Sequence, residues 1–148
     1  MKIALGCDHG GINLKEEIKK FLEENNYDYE DFGTYNNESV DYPDYGKKVA
    51  LEVRDNDFDR GILVCGTGIG ISLAANKVKG IRAAVVSDVF SAKMCRAHNN
   101  CQILSLGERV VGKGLALELV NAFLTTDFEG DRHKRRVDKL IEIEENNL

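Results

Sequence analysis

The chain has 148 residues, 43% of them hydrophobic and 30% charged, with one proline, no tryptophan and a formal net charge of -5. That length predicts a single domain over residues 1–148, with core enough to need no metal or disulfide staple, and the composition excludes a disordered or low-complexity chain. The acidic balance excludes an ordinary nucleic-acid binder, which needs surplus Lys and Arg to displace counterions from phosphates.

In chain order, Lys2 to Cys7 predicts a first strand, and Leu14, Ile18, Phe21 and Leu22 then recur at the three-or-four spacing of an amphipathic helix. Tyr27 to Asp31 predicts a second strand, followed by a helix carrying Val49, Ala50 and Val53. Gly61 to Val64 predicts the third strand, which runs into Cys65-Gly66-Thr67-Gly68-Ile69-Gly70. Ala83 to Val86 predicts the fourth, with Phe90, Lys93, Met94 and Ala97 on one face of the next helix. Ile103 to Leu106 predicts the fifth, followed by Leu115, Leu119, Val120 and Phe123 at helical spacing. A last helix, roughly Asp131 to Glu145, places Val137, Leu140 and Ile141 on one side and Asp131 as its cap.

Strand and helix alternate throughout. The pattern predicts an α/β fold, a single-domain Rossmann-like or flavodoxin-like three-layer sandwich with a five-stranded parallel sheet, right-handed crossovers and an extra C-terminal helix. A strand order of 2-1-3-4-5 is expected. Ligands of such sheets bind beyond the carboxyl ends of the strands at the switch point, here between the first and third.

Two unusual loops therefore face each other, Asp8-His9-Gly10-Gly11 after the first strand and Cys65 to Ser72 after the third. Ser87-Asp88 and Gly107-Glu108-Arg109 add polar groups to the same edge. Gly66, Gly68 and Gly70 let the backbone approach a ligand, and the helix that follows offers free N–H groups, so the loop suits an oxyanion. It is not a dinucleotide fingerprint, because Ile71 stands where the third glycine belongs, and no Lys-Ser or Lys-Thr completes a P-loop.

Cys65 is the candidate base or nucleophile, since a cysteine at a helix N-terminus loses its proton readily; the alternative is a small apolar residue that ends a buried strand. Cys7, Cys95 and Cys101 read as packing residues. No C-x-x-C pair or secretory context accompanies them, so reduced thiols are expected. An acid interrupts the N-terminal apolar stretch at Asp8, and no run approaches the ~18 residues of a membrane span, so a cytoplasmic location is expected.

His98 and Asn99 end the helix after the fourth strand, at the sheet edge opposite Cys65. Either they cap that helix, or they work with Cys65 of another subunit. Arg132 and Arg136, four apart on the last helix, share a face that suits one phosphate or merely meets solvent. A metal site built from Cys95 and His98 with His9 or His133 lacks a second ligand pair at metal spacing, and none is expected.

Asp8-His9-Gly10-Gly11, Cys65 to Gly70, Ala75-Asn76-Lys77, Arg82 to Ala84, His98-Asn99 and Gly107-Glu108-Arg109 together resemble the ribose-5-phosphate isomerase B family over nearly the whole chain. The resemblance implies a cofactor-independent, homodimeric or dimer-of-dimers enzyme of the pentose phosphate pathway that interconverts ribose 5-phosphate and ribulose 5-phosphate. It implies Cys65 as the base, His98 as the ring-opening residue, and Asp8, His9, Asn99 and Arg109 as substrate contacts. Gly66, Thr67, Gly68, Ile69 and Gly70 match the loop around the enediolate, and Arg132 and Arg136 match phosphate contacts. Thr67 could also relay a proton. A branch of the family with glycine in place of the cysteine uses glutamate at the position of Ile71, so this chain follows the cysteine branch. Relatives acting on allose 6-phosphate, and the two-component galactose-6-phosphate isomerases, share much of the pattern. The rivals are thus a subunit of such an isomerase and a noncatalytic nucleotide-binding module.

Overall fold

Strands β1 (Lys2–Cys7), β2 (Asp28–Asp31), β3 (Arg60–Cys65), β4 (Ala83–Val85) and β5 (Ile103–Gly107) pair in parallel into one sheet in the computed structural model, which describes residues 1–147. The helices are α1 (Ile12–Glu24), α2 (Tyr42–Asp55), α3 (Ile69–Asn76), α4 (Val89–Ala97), α5 (Lys113–Thr125) and α6 (Arg132–Asn146). β1, β3 and β5 are nearly continuous apolar runs because a parallel sheet is covered on both faces.

Side-chain alternation divides the core in two. Ile3, Leu5, Ile62, Val64, Leu104 and Leu106 pack with Leu14, Ile18 and Leu22 of α1, Ala92 and Cys95 of α4, and Leu119, Val120 and Phe123 of α5. Ala4, Leu63, Cys65 and Ile103 pack on the other face with Val49 and Ala50 of α2 and Ile71 and Ala75 of α3. Cys7, Cys95 and Cys101 lie in the first of these layers, and burial pushes the Cys7 thiol up to about 11. Lys15 is fully buried, its ammonium bonded to Asp31 Oδ1 at 2.8 Å and to the Thr34 carbonyl, which pins α1 to the end of β2. Truncating one partner of such a buried pair costs about 3–5 kcal/mol.

The strand order is β2-β1-β3-β5-β4, not the expected 2-1-3-4-5. Periodicity locates strands but carries no information about neighbours. β5 is wholly buried and takes the inner place, whereas β4 has three half-buried or exposed residues and takes the edge. The chain still leaves β1 toward one side and β3 toward the other, so the crevice between them stands where expected.

Two local expectations fail. α4 starts at Asp88, which accepts from Ser91 N at 2.7 Å, and it turns Ala92, Cys95, Arg96 and Ala97 inward, Ala92 and Cys95 against the core, while Phe90 is 71% exposed on the other side. Asp131 precedes α6 but makes no side-chain cap; its backbone is left-handed, with φ 48°. α6 is instead held by the buried Val137 and by Glu144, whose carboxylate accepts from Gly80 N at 3.0 Å. Among the described residues no helix is long and apolar enough to cross a membrane.

Candidate active site

At the carboxyl edge of the sheet, Asp8 N donates to the Val64 carbonyl at 3.2 Å, and Asp8 Oδ1 accepts from Gly10 N at 2.8 Å. This caps a 3-10 turn over His9–Gly11. Gly11 lies so close to β3 that a Cβ there would stand 2.6 Å from the Val64 oxygen, so glycine is what lets the two loops touch. His9 Nδ1 accepts from Val40 N at 3.1 Å, which assigns the proton of the neutral ring to Nε2.

Cys65 ends β3 and is 4% exposed, its Sγ accepting from Gly68 N at 3.0 Å. Gly68 holds a left-handed φ of 79°, and its carbonyl accepts from the buried Ser105 hydroxyl at 2.6 Å. The chain can therefore double back over the thiol and enter α3 at Ile69. Thr67 Oγ1 accepts from Ile69 N at 3.2 Å, so the hydroxyl helps to start the helix as well as facing solvent. Arg109 seals the other side, with its N–H donating to the Gly66 carbonyl at 3.0 Å and its guanidinium lying against Gly66. Tyr42, which sequence reasoning missed, places its ring against Gly70; only the missing side chain at residue 70 makes that contact possible.

The predicted residues therefore divide into two groups. Asp8, His9, Cys65 to Gly70 and Arg109 share the carboxyl edge. His98, Asn99, Arg132 and Arg136 do not join them. Arg82, just ahead of β4, donates to the Asn99 carbonyl at 3.1 Å and the Asn100 carbonyl at 2.9 Å, fixing the α4 terminus at the amino edge. Glu129 N donates to the Ala97 carbonyl at 3.0 Å and brings the start of α6, with its exposed arginines, to the same end. At ~3.3 Å per residue the intervening length of β5 separates the two groups by roughly 15 Å, far beyond hydrogen-bond reach.

At this second locus His98 stacks on His133 with centroids 4.1 Å apart and planes 6° from parallel. Glu129 Oε2 lies 3.6 Å from His98 Nε2, and Oε1 lies 4.0 Å from His133 Nε2. His133 is buried, and its desolvation, together with the charges of His98 and Arg132, holds it below the usual histidine range. Glu129 was not a sequence candidate. Its only signal was the four-residue spacing to His133, which is common by chance.

Donor atoms of His98, Glu129 and His133 all lie within 4.8 Å of one another. The parallel rings nevertheless aim their lone pairs along separate planes, so no one ion stands in both planes at the ~2.0–2.1 Å of a zinc–imidazole bond. Cys95 faces the core and takes no part.

A sequence model of the Ribose/Galactose Isomerase family matches residues 3–140. Ribose-5-phosphate isomerase B of Clostridium thermocellum has a structure with a TM-score of 0.98 to this chain at 57% identity, all of both chains being covered. Ribose-5-phosphate isomerase B of Escherichia coli is 49% identical over 97% of each chain. The structure of ribose-5-phosphate isomerase B from Mycoplasma genitalium with bound ribulose 5-phosphate gives a TM-score of 0.93 at 40% identity, covering 99% of this chain and 97% of that one.

Proposed function

The chain belongs to the ribose/galactose isomerase family, and we propose that it interconverts D-ribose 5-phosphate and D-ribulose 5-phosphate, with Cys65 as the base and active sites shared between two subunits. The observation that carries the reading is Cys65 itself. Its sulfur is buried at the switch point and takes a hydrogen bond from Gly68 N at 3.0 Å, where the glycine loop turns back over it into α3.

Aldose–ketose isomerisation begins from the open-chain sugar. Cys65 as thiolate takes the C2 proton, and the C2–H electron pair forms the C1–C2 double bond of a cis-enediolate as the carbonyl electrons move to O1. Amides of Gly66 to Gly70 stabilise the developing oxyanion, and the proton returns to C1 to give the ketose. Thr67 Oγ1, in this loop and accepting from Ile69 N, hands a proton between O1 and O2. Asp8, His9 and Arg109 hold the sugar hydroxyls.

Ribose 5-phosphate arrives mainly as a furanose, and opening that ring calls for an acid at the ring oxygen. The His98 imidazole is the kind of group that can serve as that acid, but Cys65 of the same chain lies about 15 Å away across the sheet. A partner subunit must therefore bring His98, Asn99, Arg132 and Arg136 to the thiol as a set. The arginines bind the phosphate, which fixes C1 and C2 beside Cys65 without entering the chemistry. Ile69, Leu73, Val85, Phe90 and Val110 are each at least 43% exposed and supply an apolar surface for such an association.

A coupled assay of the purified protein with ribose 5-phosphate, allose 6-phosphate and galactose 6-phosphate tests the proposal. Ribose 5-phosphate should be turned over fastest, with any activity on allose 6-phosphate slower. Turnover of galactose 6-phosphate alone would make the chain a hexose-phosphate isomerase subunit, and absorbance from a co-purified nucleotide or flavin without turnover would make it a binding module.

A further inference from the structure

The His98–Glu129–His133 cluster contains a group to which the proposed chemistry gives no role. Glu129 is 51% exposed by side chain, yet its main chain is tied by its N–H to the Ala97 carbonyl, one residue before His98. Its two carboxylate oxygens lie opposite the Nε2 atoms of both histidines, at 3.6 and 4.0 Å. His133 stacks flat on His98 and fixes the plane of that ring. An imidazole stacked on one face and opposed at Nε2 by a carboxylate has one nitrogen left for other work, Nδ1. Arg132 and Arg136, at the start of α6, bring their charges to bear on His133 in the same group.

We propose that Glu129 is a positioning residue for His98: it holds the Nε2–H of the ring and so presents Nδ1 to the sugar bound at the other subunit's Cys65. This rests on the isomerase reading above. In the ring-opening step the protonated His98 gives its Nδ1 proton to the ring oxygen O4, and the C1–O4 bonding pair goes to that oxygen. The O1–H pair becomes the C1–O1 double bond, and the O1 proton leaves to water. His98 is left neutral as the Nε2–H tautomer, the form that a carboxylate opposite Nε2 favours. The separation of 3.6 Å is loose for a hydrogen bond, as such contacts often are before substrate closes the site.

The two partial reactions separate the roles. Ribulose 5-phosphate has no free 5-hydroxyl and stays open-chain, so exchange of its C1 hydrogen with deuterium from solvent needs Cys65 but no ring opening. Ribose 5-phosphate needs both. Glu129→Gln in the full-length protein should lower turnover of ribose 5-phosphate by about tenfold or more, within the range of general-acid effects, and keep C1 exchange within about twofold. Glu129→Asp should recover part of the loss, and Glu129→Gln should add little to His98→Ala. The His98 side-chain nitrogen shifts at neutral pH should report the Nε2–H tautomer in the wild type and a mixture in Glu129→Gln.

Equal loss of both reactions, loss of neither, or unchanged nitrogen shifts would overturn the positioning role. If the wild type neither isomerises nor exchanges, the isomerase reading fails, and the nitrogen shifts still decide whether Glu129 sets the tautomer.

Discussion

Replacing Cys65 by alanine removes one sulfur from a site that is 4% exposed and leaves Gly68 N without its acceptor. A buried donor left unpaired costs about 1–3 kcal/mol, which a domain of ordinary stability, about 5–15 kcal/mol, survives. At ~2–4 °C per kcal/mol for a chain of this size, the melting midpoint should fall by roughly 2–12 °C with the fold intact. Loss of the base should reduce turnover of ribose 5-phosphate by about 10²–10⁴-fold, with affinity for the sugar phosphate nearly unchanged because the arginines and the loop amides remain. Cys65→Ser separates the two effects. Its hydroxyl still accepts from Gly68 N and should restore most of the stability, but it is too weak a base to restore turnover. The assay is initial-rate isomerisation beside calorimetry for wild type, Cys65→Ala and Cys65→Ser. A folded alanine variant within about fivefold of wild-type turnover would refute the assignment, since no proton carrier of that strength would then be missing.

Mixing Cys65→Ala chains with His98→Ala chains should regenerate activity, because each hybrid dimer holds one site with both residues intact; no recovery after confirmed subunit exchange would place them in one chain's site. Gly68→Ala forces φ near 79° on a residue with a Cβ, which would stand 2.8 Å from the Leu106 carbonyl carbon. Strain and overpacking together should cost about 2–4 kcal/mol, with a larger fractional loss of kcat than of affinity as the Gly68 N–H leaves the thiol; denaturant melts and initial rates check both. His133 is held below the usual histidine range chiefly by burial, so between its folded and unfolded pKa values the unfolded chain binds the extra proton. Its contribution to stability is therefore full above the ordinary histidine value and is lost as pH falls toward the lowered one. His133→Phe should flatten that part of the melting-midpoint curve, and an NMR titration of His133 should show the lowered midpoint directly.

Much of this protein is readable along the chain. β1, β3 and β5 are runs of apolar residues with period-two sidedness, and α1 and α5 carry stripes at helical spacing, because burial imposes those patterns locally. The switch-point rule then brought Asp8, His9 and Cys65 to one edge without any contact being known. Where the tertiary environment rather than periodicity chose the exposed face, reading along the chain failed. Phe90 has the spacing of a core stripe in α4, but the packing of α4 against the sheet and α5 buries Ala92 and Cys95 instead and leaves Phe90 outside.

Strand order was decided by a comparison no single segment contains, that of the wholly buried β5 with the short edge strand β4. Glu129 was invisible for a related reason. It has no motif, and its relation to His98 rests on a hydrogen bond from its main chain to Ala97 across 32 residues of sequence, as well as on the stack that His133 makes from α6. The strands and helices, the glycine loop and the thiol it surrounds are legible along the chain, because each is specified by residues within a few positions of one another. That the imidazole stands at the edge opposite the thiol follows already from a helix running antiparallel to its strand; that Glu129 and His133 meet His98 there is a matter of how α6 packs back onto the end of α4, which no local pattern encodes.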